Sequence, residues 1–190
     1  DDGTFVSAKA VILTTGTYLN AEVMAGNDVK KGGPDNQKAA IGLSKSLEEH
    51  GIELFRLKTG TPQRLDPQTI DFSILEEQLG TNKKLAFSYD TTTYVPFEQQ
   101  CKCYLTYTNS KTHEIIKKHL MESSMYSGLI SGVGPRYCPS IETKIVRFKD
   151  KPRHQLFLEP ESRFLNSTYL QGFSTSMPHD VQEEMVHSLK

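Results

Sequence analysis

The stretch KCYLTYT at residues 102–108 runs directly into NSKTHEIIKKHLME at residues 109–122. The first part is rich in aromatic and β-branched residues, a composition typical of a strand. In the second part apolar residues recur at helical spacing from Ile115 to Leu120, and Asn109 or Thr112 can cap the first turn. This junction predicts a strand followed at once by a helix, and therefore a fold that combines a sheet with helices.

The chain after this junction repeats the two patterns. Residues 154–160 (HQLFLEP) are predicted as another strand, and residues 180–189 as another helix whose apolar face includes Val181 and Met185. A glycine-rich turn from Gly128 to Gly134 lies between the first pair of elements and the second.

The sequence pattern of residues 9–58, before this junction, predicts a nucleotide-binding unit. Residues 9–15 (KAVILTT) form a short apolar run without alternation, which favours a strand covered on both faces. Residues 36–50 predict a helix with Gly51 as its C-cap, and residues 52–58 predict a second strand. A strand, a helix and a strand in this order are typical of a βαβ unit, the usual building block of a nucleotide-binding sheet, so the predicted fold class is α/β.

The end of the first predicted strand carries polar and flexible residues. Thr15, Gly16 and Thr17 place hydroxyl groups and an unobstructed backbone beside the crevice expected at a strand end. Many α/β strands end in the same way, so a plain strand-to-loop turn is an equal alternative.

Composition limits the classes of function. The 190 residues are 36% hydrophobic and 24% charged with a formal net charge of −1, which indicates a globular protein and not a general binder of nucleic acid. No apolar run reaches the length of a membrane span, and the start of the chain lacks the regions of a signal peptide, so a cytoplasmic protein without membrane contact is predicted. Both ends fall inside predicted elements, which indicates a piece of a longer protein.

Cys138 is the candidate nucleophile, in the sequence GVGPRYCPSIE at residues 132–142. Pro139 suits the first position of a helix, which makes Cys138 the candidate N-cap of a helix running toward Phe148. The helix dipole and nearby Arg136 would both favour the thiolate form of Cys138. The alternative is that Cys138 is a small buried hydrophobic residue.

The same segment also has the features of an anion site. Gly132 and Gly134 free the backbone, and the planar guanidinium of Arg136 suits a phosphate, so a cofactor with a pyrophosphate fits here. The third glycine of the dinucleotide fingerprint is missing, and a simple turn is therefore an alternative.

The other two cysteines are predicted to be packing residues. Cys101 and Cys103 are too close for the usual metal-ligand spacing, and strand alternation points both thiols to one face. Three cysteines without a second spaced pair give no disulfide framework, so neither a metal site nor a set of disulfides is predicted.

Several longer blocks resemble signature stretches of the MnmG (GidA) family, and they occur in family order along the chain. They are LKTGTPQR at residues 57–64, TIDFS at 69–73, YTNSKTHEII at 107–116, MYSG at 125–128, GVGPRYCPSIE at 132–142, FLEPE at 157–161 and STSMP at 174–178. The chain is therefore identified as a member of that family, holding the middle of a longer protein.

The resemblance implies an architecture. The family's proteins are flavoproteins with two dinucleotide-binding domains, in which a Rossmann-like FAD domain carries an inserted α+β domain. Residues 1–60 and 148–190 would belong to the FAD-binding domain, and residues 61–147 to the inserted NAD-binding domain. The family's glycine-rich FAD fingerprint would lie outside this chain.

The resemblance also implies site residues and no metal. A functionally important cysteine of the family matches Cys138, and FAD contacts are implied at Thr15, Gly16, Thr17 and Ala40, although the loop KGGPDNQKAA at residues 31–40 departs from the family pattern. The family's NAD-contacting stretch matches Gly134, Pro135, Arg136, Tyr137, Cys138, Pro139, Ser140, Ile141, Glu142, Thr143, Lys144, Ile145, Val146, Arg147 and Phe148.

The implied activity is FAD- and NADH-dependent modification of tRNA. With the GTPase MnmE (TrmE), the family attaches a (carboxymethyl)aminomethyl group to carbon 5 of the wobble uridine, with methylenetetrahydrofolate as co-substrate and a homodimer as the full-length form. Cys138 would add to carbon 6 of the ring or protect a reactive intermediate; this chain alone is expected to be inactive. Two alternatives stay open: a non-catalytic nucleotide- or RNA-binding module, and a folate- and FAD-dependent tRNA uridine methyltransferase.

Overall fold

A computed structural model of the protein describes residues 3–135 and 138–190. The described residues divide into two compact units. The first covers the chain up to Met24 together with Val29–Phe55, and the second covers Ala25–Asp28 and Arg56–Lys190. Arg136 and Tyr137, two of the predicted site residues, lie outside the described residues.

The early part of the chain contains a short hairpin and one helix. Strand β1 (Glu22–Ala25) pairs with β2 (Asp28–Lys31) in a two-stranded sheet, and helix α1 covers Leu43–Glu49. The helix ends as predicted at Gly51, whose φ of 80° is the left-handed conformation that glycine adopts freely. The Gly51 N–H donates to the Glu48 carbonyl at 2.9 Å and the Ile52 N–H to the Leu47 carbonyl at 3.0 Å, the hydrogen bonds of a Schellman cap.

Helix α1 begins later than predicted because the backbone before it is engaged elsewhere. The Ala40 N–H donates to the Tyr18 carbonyl at 2.8 Å, and the Ala40 carbonyl accepts from the Asn20 N–H at 3.1 Å. These two bonds form a parallel bridge and hold residue 40 in an extended conformation. The helix therefore starts after Gly42, its N-cap, and not at residue 36.

The two strands predicted at residues 9–15 and 52–58 are not formed, and the predicted βαβ unit is therefore wrong for the described chain. Val11 is 76% exposed and Ile12 is 86% exposed, so the apolar run has no covering layer. A strand is stable only when neighbouring strands satisfy its N–H and C=O groups, and the described residues supply none beside residues 9–15.

The second unit is built on a five-stranded sheet. Its strands are β3 (Arg64–Leu65), β4 (Glu76–Gln78), β5 (Cys103–Tyr107), β6 (Gln155–Pro160) and β7 (Thr168–Gln171). The order is β3-β7-β6-β5-β4, and every neighbouring pair is antiparallel. Strands β5 and β6 confirm the two strands predicted around residues 102–108 and 154–160, whereas the antiparallel pairing differs from the parallel sheet that a βαβ pattern implies.

Three helices cover this sheet: α2 (Ser110–Lys118), α3 (Ile141–Arg147) and α4 (His179–His187). Helix α2 begins where predicted, with the Asn109 side chain accepting from the Thr112 N–H at 3.1 Å in a capping box. Helix α4 confirms the last predicted helix. Short 3-10 turns connect the elements at Pro34–Asn36, Pro67–Thr69, Phe72–Ile74, Phe97–Gln99 and Leu120–Glu122.

The core lies between the three helices and the central strands. It is a cluster of buried apolar side chains from both layers: Ile115, Ile116, Ile141, Ile145, Leu156, Leu158, Leu170, Phe173, Met177, Val181 and Met185. Strands and helices after residue 148 thus share one sheet and one core with β5 and α2. The assignment of residues 1–60 and 148–190 to an FAD-binding domain, and of residues 61–147 to an inserted NAD-binding domain, stays a prediction.

Within residues 3–135 and 138–190, no helix is both long enough and apolar enough to cross a bilayer.

Candidate functional site

Cys138 lies in the loop that leads into α3. Its side chain is half-buried, and its Sγ is 4.0 Å from the hydroxyl of Thr59, far away in the sequence. The Cys138 N–H donates to the Pro135 carbonyl at 3.3 Å. A partly accessible thiol beside a hydroxyl can meet a substrate and can exchange a hydrogen bond as it ionises.

The prediction that Cys138 caps the following helix is wrong. The N-cap of α3 is Ser140, whose hydroxyl accepts from the Thr143 N–H at 3.3 Å. A serine hydroxyl is a better acceptor for the first-turn N–H groups than a thiol, so the helix starts after Ser140 and Pro139 precedes it. Cys138 is two residues outside the helix, which removes the helix dipole as a reason for its reactivity.

Backbone hydrogen bonds join the segment of residues 56–59 to the glycine turn that precedes Cys138 in the sequence. The Lys58 N–H donates to the Val133 carbonyl at 3.0 Å, and the Val133 N–H donates to the Arg56 carbonyl at 3.3 Å. A Cβ at Gly132 would lie 3.2 Å from the Lys58 nitrogen and 3.3 Å from the Arg56 carbonyl oxygen, so the close approach of the two backbones suits glycine. The sequence patterns did not predict this contact.

Met125 connects this segment to the start of α3. Its sulfur is 3.3 Å from the Lys58 Nζ, 3.8 Å from the Ser140 hydroxyl and 3.9 Å from the Thr143 hydroxyl. A thioether is a weak acceptor that several donors can share. The site thus combines Lys58, Thr59, Met125 and the cap of α3 around Cys138, and only Cys138 and the α3 residues were predicted.

Hydrogen bonds to the buried Glu142 side chain hold the first turn of α3 in place. The residue is fully buried, and its Oε1 accepts from the Thr175 hydroxyl at 2.7 Å, the Ser176 N–H at 3.0 Å and the Ser123 hydroxyl at 3.3 Å. The other oxygen, Oε2, has no hydrogen-bond partner among the described residues. These three bonds join α3 to two distant loops and fix the end of the helix nearest Cys138.

Burial divides the predicted NAD stretch into two groups. The described residues that are exposed or half-buried are Gly134, Pro135, Cys138, Pro139, Lys144, Val146, Arg147 and Phe148. The buried ones are Ser140, Ile141, Glu142, Thr143 and Ile145. The buried group packs in the core or caps α3, so among the described residues of this stretch the side chains accessible to a ligand are those of the first group.

The four residues predicted to contact FAD lie in the first unit. Thr15 is half-buried, and Gly16, Thr17 and Ala40 are exposed. The Ala40 N–H donates to the Tyr18 carbonyl at 2.8 Å, and a parallel bridge pairs Ala40 with Leu19, so residue 40 is joined to the chain just after Thr17. Flavin contact at the four residues stays a prediction.

Cys101 and Cys103 differ from Cys138 in their surroundings. Cys101 is exposed ahead of β5, and Cys103 lies in β5 opposite Gln78. Burial raises the pKa of the Cys103 thiol, and the nearby charge of Glu159 raises it further, so Cys103 is a poor source of thiolate. No group of three or more His, Cys, Asp or Glu side chains within the described ranges is arranged to hold a metal ion.

Known proteins resemble the whole of this chain. A family model described as glucose inhibited division protein A matches residues 1–190. The tRNA uridine 5-carboxymethylaminomethyl modification enzyme MnmG of Bacillus subtilis (strain 168) is 53% identical over 187 residues, which are 98% of this chain and 30% of that protein. The protein of the same name from Ureaplasma parvum serovar 3 (strain ATCC 27815 / 27 / NCTC 11736) is 53% identical over 188 residues, 99% of this chain and 31% of that protein.

A solved structure has the same fold. Aquifex aeolicus GidA in its form I crystal superimposes with a TM-score of 0.82 at 47% identity, covering 93% of this chain and 30% of that chain. This chain therefore corresponds to less than a third of the length of these relatives.

Proposed function

The chain belongs to the family of glucose inhibited division protein A, and from this premise we propose that it is part of an FAD-dependent enzyme that modifies the wobble uridine of tRNA. The enzyme installs a (carboxymethyl)aminomethyl group at carbon 5 of that base together with the GTPase MnmE. Identity of 53% over 98% of the chain to a protein named as a tRNA uridine modification enzyme is the observation that supports this function most strongly.

The accessible residues of the chain fit two dinucleotide cofactors. The Thr15–Thr17 turn offers hydroxyl groups, and Gly16, with a φ of 56°, leaves the backbone open to a ligand such as FAD. The second ligand, NADH, is proposed to bind at the half-buried Gly134 and the loop in front of Cys138. When bound, FAD reduced by NADH supplies the reducing equivalents, and methylenetetrahydrofolate supplies the carbon unit.

Cys138 carries the covalent step of the proposed mechanism. Its thiol loses a proton, and the sulfur adds to carbon 6 of the uracil ring, so the electron pair of the 5,6 double bond moves toward carbon 5 and the carbonyl oxygen. Carbon 5 then bonds to the incoming carbon unit while the bond from that carbon to a nitrogen of its donor breaks, and the electron pair of the broken bond leaves on nitrogen. Loss of the proton from carbon 5 restores the double bond and expels the sulfur as thiolate. The Thr59 hydroxyl, 4.0 Å from Sγ, lies where it can hydrogen-bond the sulfur in both forms.

The whole protein acts as a homodimer in the cytoplasm, with tRNA as substrate and MnmE as partner. The net charge of −1 on this chain supports RNA binding through a local surface rather than through overall charge. MnmE and the homodimer rest on the family resemblance alone.

The function is tested by nucleoside analysis of tRNA. Cells that lack the protein containing this chain should lose the (carboxymethyl)aminomethyl modification of the wobble uridine, and the wild-type gene should restore it. A methyl group at carbon 5 of a uridine, lost and restored in the same way, would point instead to a methyltransferase. Unchanged modified nucleosides in the deleted strain would leave only a binding role.

A further inference from the structure

The ammonium group of Lys58 has no negative partner in the described structure. Lys58 is half-buried, and its Nζ contacts the Met125 sulfur at 3.3 Å. The ion pairs formed within residues 3–135 and 138–190 join Lys45 to Glu49, Arg64 to Glu161, Lys102 to Glu77 and His119 to Glu122, and none includes Lys58. A thioether is a weak acceptor and carries no charge, so it does not neutralise this ammonium.

Contacts with the glycine turn determine the position of Lys58. Its N–H is bonded to the Val133 carbonyl, and its side chain lies along Gly134. A Cβ at Gly134 would be 2.8 Å from the Lys58 Cε and 3.6 Å from Nζ, so the absence of a side chain at residue 134 is what admits the lysine stem. The charge is thereby held at the glycine turn that leads to Cys138.

A lysine ammonium that forms no ion pair within the described residues and lies beside a glycine turn is an arrangement that can bind phosphate. Lysine contributes the charge to such sites, and glycine lets the anion approach the main chain. A carboxylate of the protein would neutralise the site, and no described carboxylate forms an ion pair with Lys58. The loop is next to Cys138, so a phosphate held at Lys58 would place the rest of its ligand beside the thiol.

We propose that Lys58, together with the turn Gly132–Gly134, binds a phosphate group of a ligand at the Cys138 site. The phosphate belongs either to a dinucleotide or to the RNA backbone, which share this chemistry. The proposal rests on the proposed function only for the choice of these two probes.

The test measures binding of NADH and of tRNA to the protein as the cell makes it. Lys58→Met keeps the length and apolar character of the stem and removes the charge. The exposed Lys84 provides a matched control as Lys84→Met, and thermal unfolding confirms that both variants are folded. Loss of one charge-assisted bond should raise the Kd of the affected probe about tenfold or more in Lys58→Met and leave Lys84→Met like wild type.

The two arms identify the source of the phosphate. Weaker NADH binding with unchanged tRNA binding assigns it to the dinucleotide. Weaker tRNA binding assigns the phosphate to the RNA backbone. In that case the slope of log K against the logarithm of the salt concentration should also become smaller by about one. Unchanged Kd values for both probes, or an equal loss in Lys84→Met, would overturn the proposal.

A second variant protects the test from a folding defect. Gly134→Ala keeps the charge at residue 58 but pushes the Lys58 Cε away from its present position. If Lys58→Met does not fold, weaker binding in Gly134→Ala supports the proposal and full affinity overturns it. The tRNA nucleoside analysis is independent of these assays, so phosphate binding that depends on Lys58 would stand even if the uridine modification were absent.

Discussion

At the level of single residues, Cys138 has different surroundings from Cys101 and Cys103. It lies in an accessible loop beside the Thr59 hydroxyl, whereas Cys103 lies in a strand where burial disfavours its thiolate. The helix dipole does not contribute, because Ser140 and not Cys138 caps α3. The case for Cys138 as nucleophile therefore depends on access and neighbours.

We expect Cys138→Ser to reduce the tRNA modification to background while protein level and bound flavin stay normal. A hydroxyl of similar size is a much weaker nucleophile than a thiolate, so the covalent step fails and folding does not. Cys101→Ser and Cys103→Ser are the controls and should retain modification, with at most a loss of stability. Mass spectrometry of tRNA nucleosides measures the outcome, and normal modification by the Cys138 variant would refute the assignment.

Two histidines of the second unit form a pair whose protonation affects stability. His113 and His154 have ring centroids 5.4 Å apart, and the Thr108 hydroxyl lies 2.7 Å from the His113 Nε2 and accepts from the His154 N–H at 2.8 Å. Burial lowers the pKa of both from the usual 6.5; nearby Lys117 lowers that of His113 further, and His113, Lys144 and Lys151 that of His154. Both rings are therefore neutral in the folded protein near neutral pH.

We expect the free energy of unfolding to fall as the pH drops below about 6.5 and to be insensitive to these groups above it. In that window the unfolded chain takes up protons at both rings more readily than the folded chain does, so acid favours unfolding. His154→Gln should make the dependence shallower, while His187→Gln, at an exposed position, should not. Urea unfolding at several pH values measures this, and identical slopes for all three proteins would contradict it.

At the level of secondary-structure elements, a buried polar network holds helix α3 in place. The carboxylate of Glu142 joins its first turn to Ser123 in one loop and to Thr175 and Ser176 in another. The helix has only seven residues, so its own hydrogen bonds contribute little to its stability. The loop carrying Cys138 depends on this network for its position.

We expect Glu142→Ala to lower the free energy of unfolding by roughly 2–4 kcal/mol, because buried donors lose their shared acceptor and a cavity remains. Glu142→Gln should lose less, since its amide oxygen can still accept from Thr175 and Ser176. The exposed Glu183→Ala on α4 is the control and should change stability little. Chemical denaturation measures the three variants, and an Ala variant as stable as wild type would exclude the network as an anchor.

At the scale of the whole molecule, the two units differ in how far their apolar residues are buried. The second unit has a sheet, three helices and one core, whereas the first has a hairpin, one short helix and an apolar run exposed at Val11 and Ile12. The chain also corresponds to 30% of the length of its Bacillus subtilis relative. Cofactor binding by the whole protein therefore need not be retained by these 190 residues.

We expect the isolated 190-residue chain to purify without FAD. The sequence has no Gly-x-Gly-x-x-Gly run after a strand, and that turn supplies the N–H groups that bind the pyrophosphate of a dinucleotide. The absorption spectrum of the purified chain measures bound flavin, and circular dichroism establishes that the sample is folded. One flavin per folded chain would contradict the expectation.

Local sequence determined the elements whose signals lie within a few residues. The strand at Cys103–Tyr107, the capped helix at Ser110–Lys118, the strand at Gln155–Pro160 and the glycine that ends α1 were all predictable from propensity and capping. Seven blocks that occur in family order between residues 57 and 178 identified the family. These features need no distant partner, because the interactions that form them are made between neighbours in the chain.

The tertiary structure alone decided what depends on distant partners. The Lys58–Met125 contact joins residues 67 apart in the sequence, and the Thr59–Cys138 contact joins residues 79 apart. The antiparallel strand order, the burial of Glu142 and the exposure of residues 9–15 also depend on what lies opposite each segment. An apolar run becomes a strand only where another strand satisfies its backbone, and a cysteine becomes a candidate site only where the fold brings a group such as the Thr59 hydroxyl close to it.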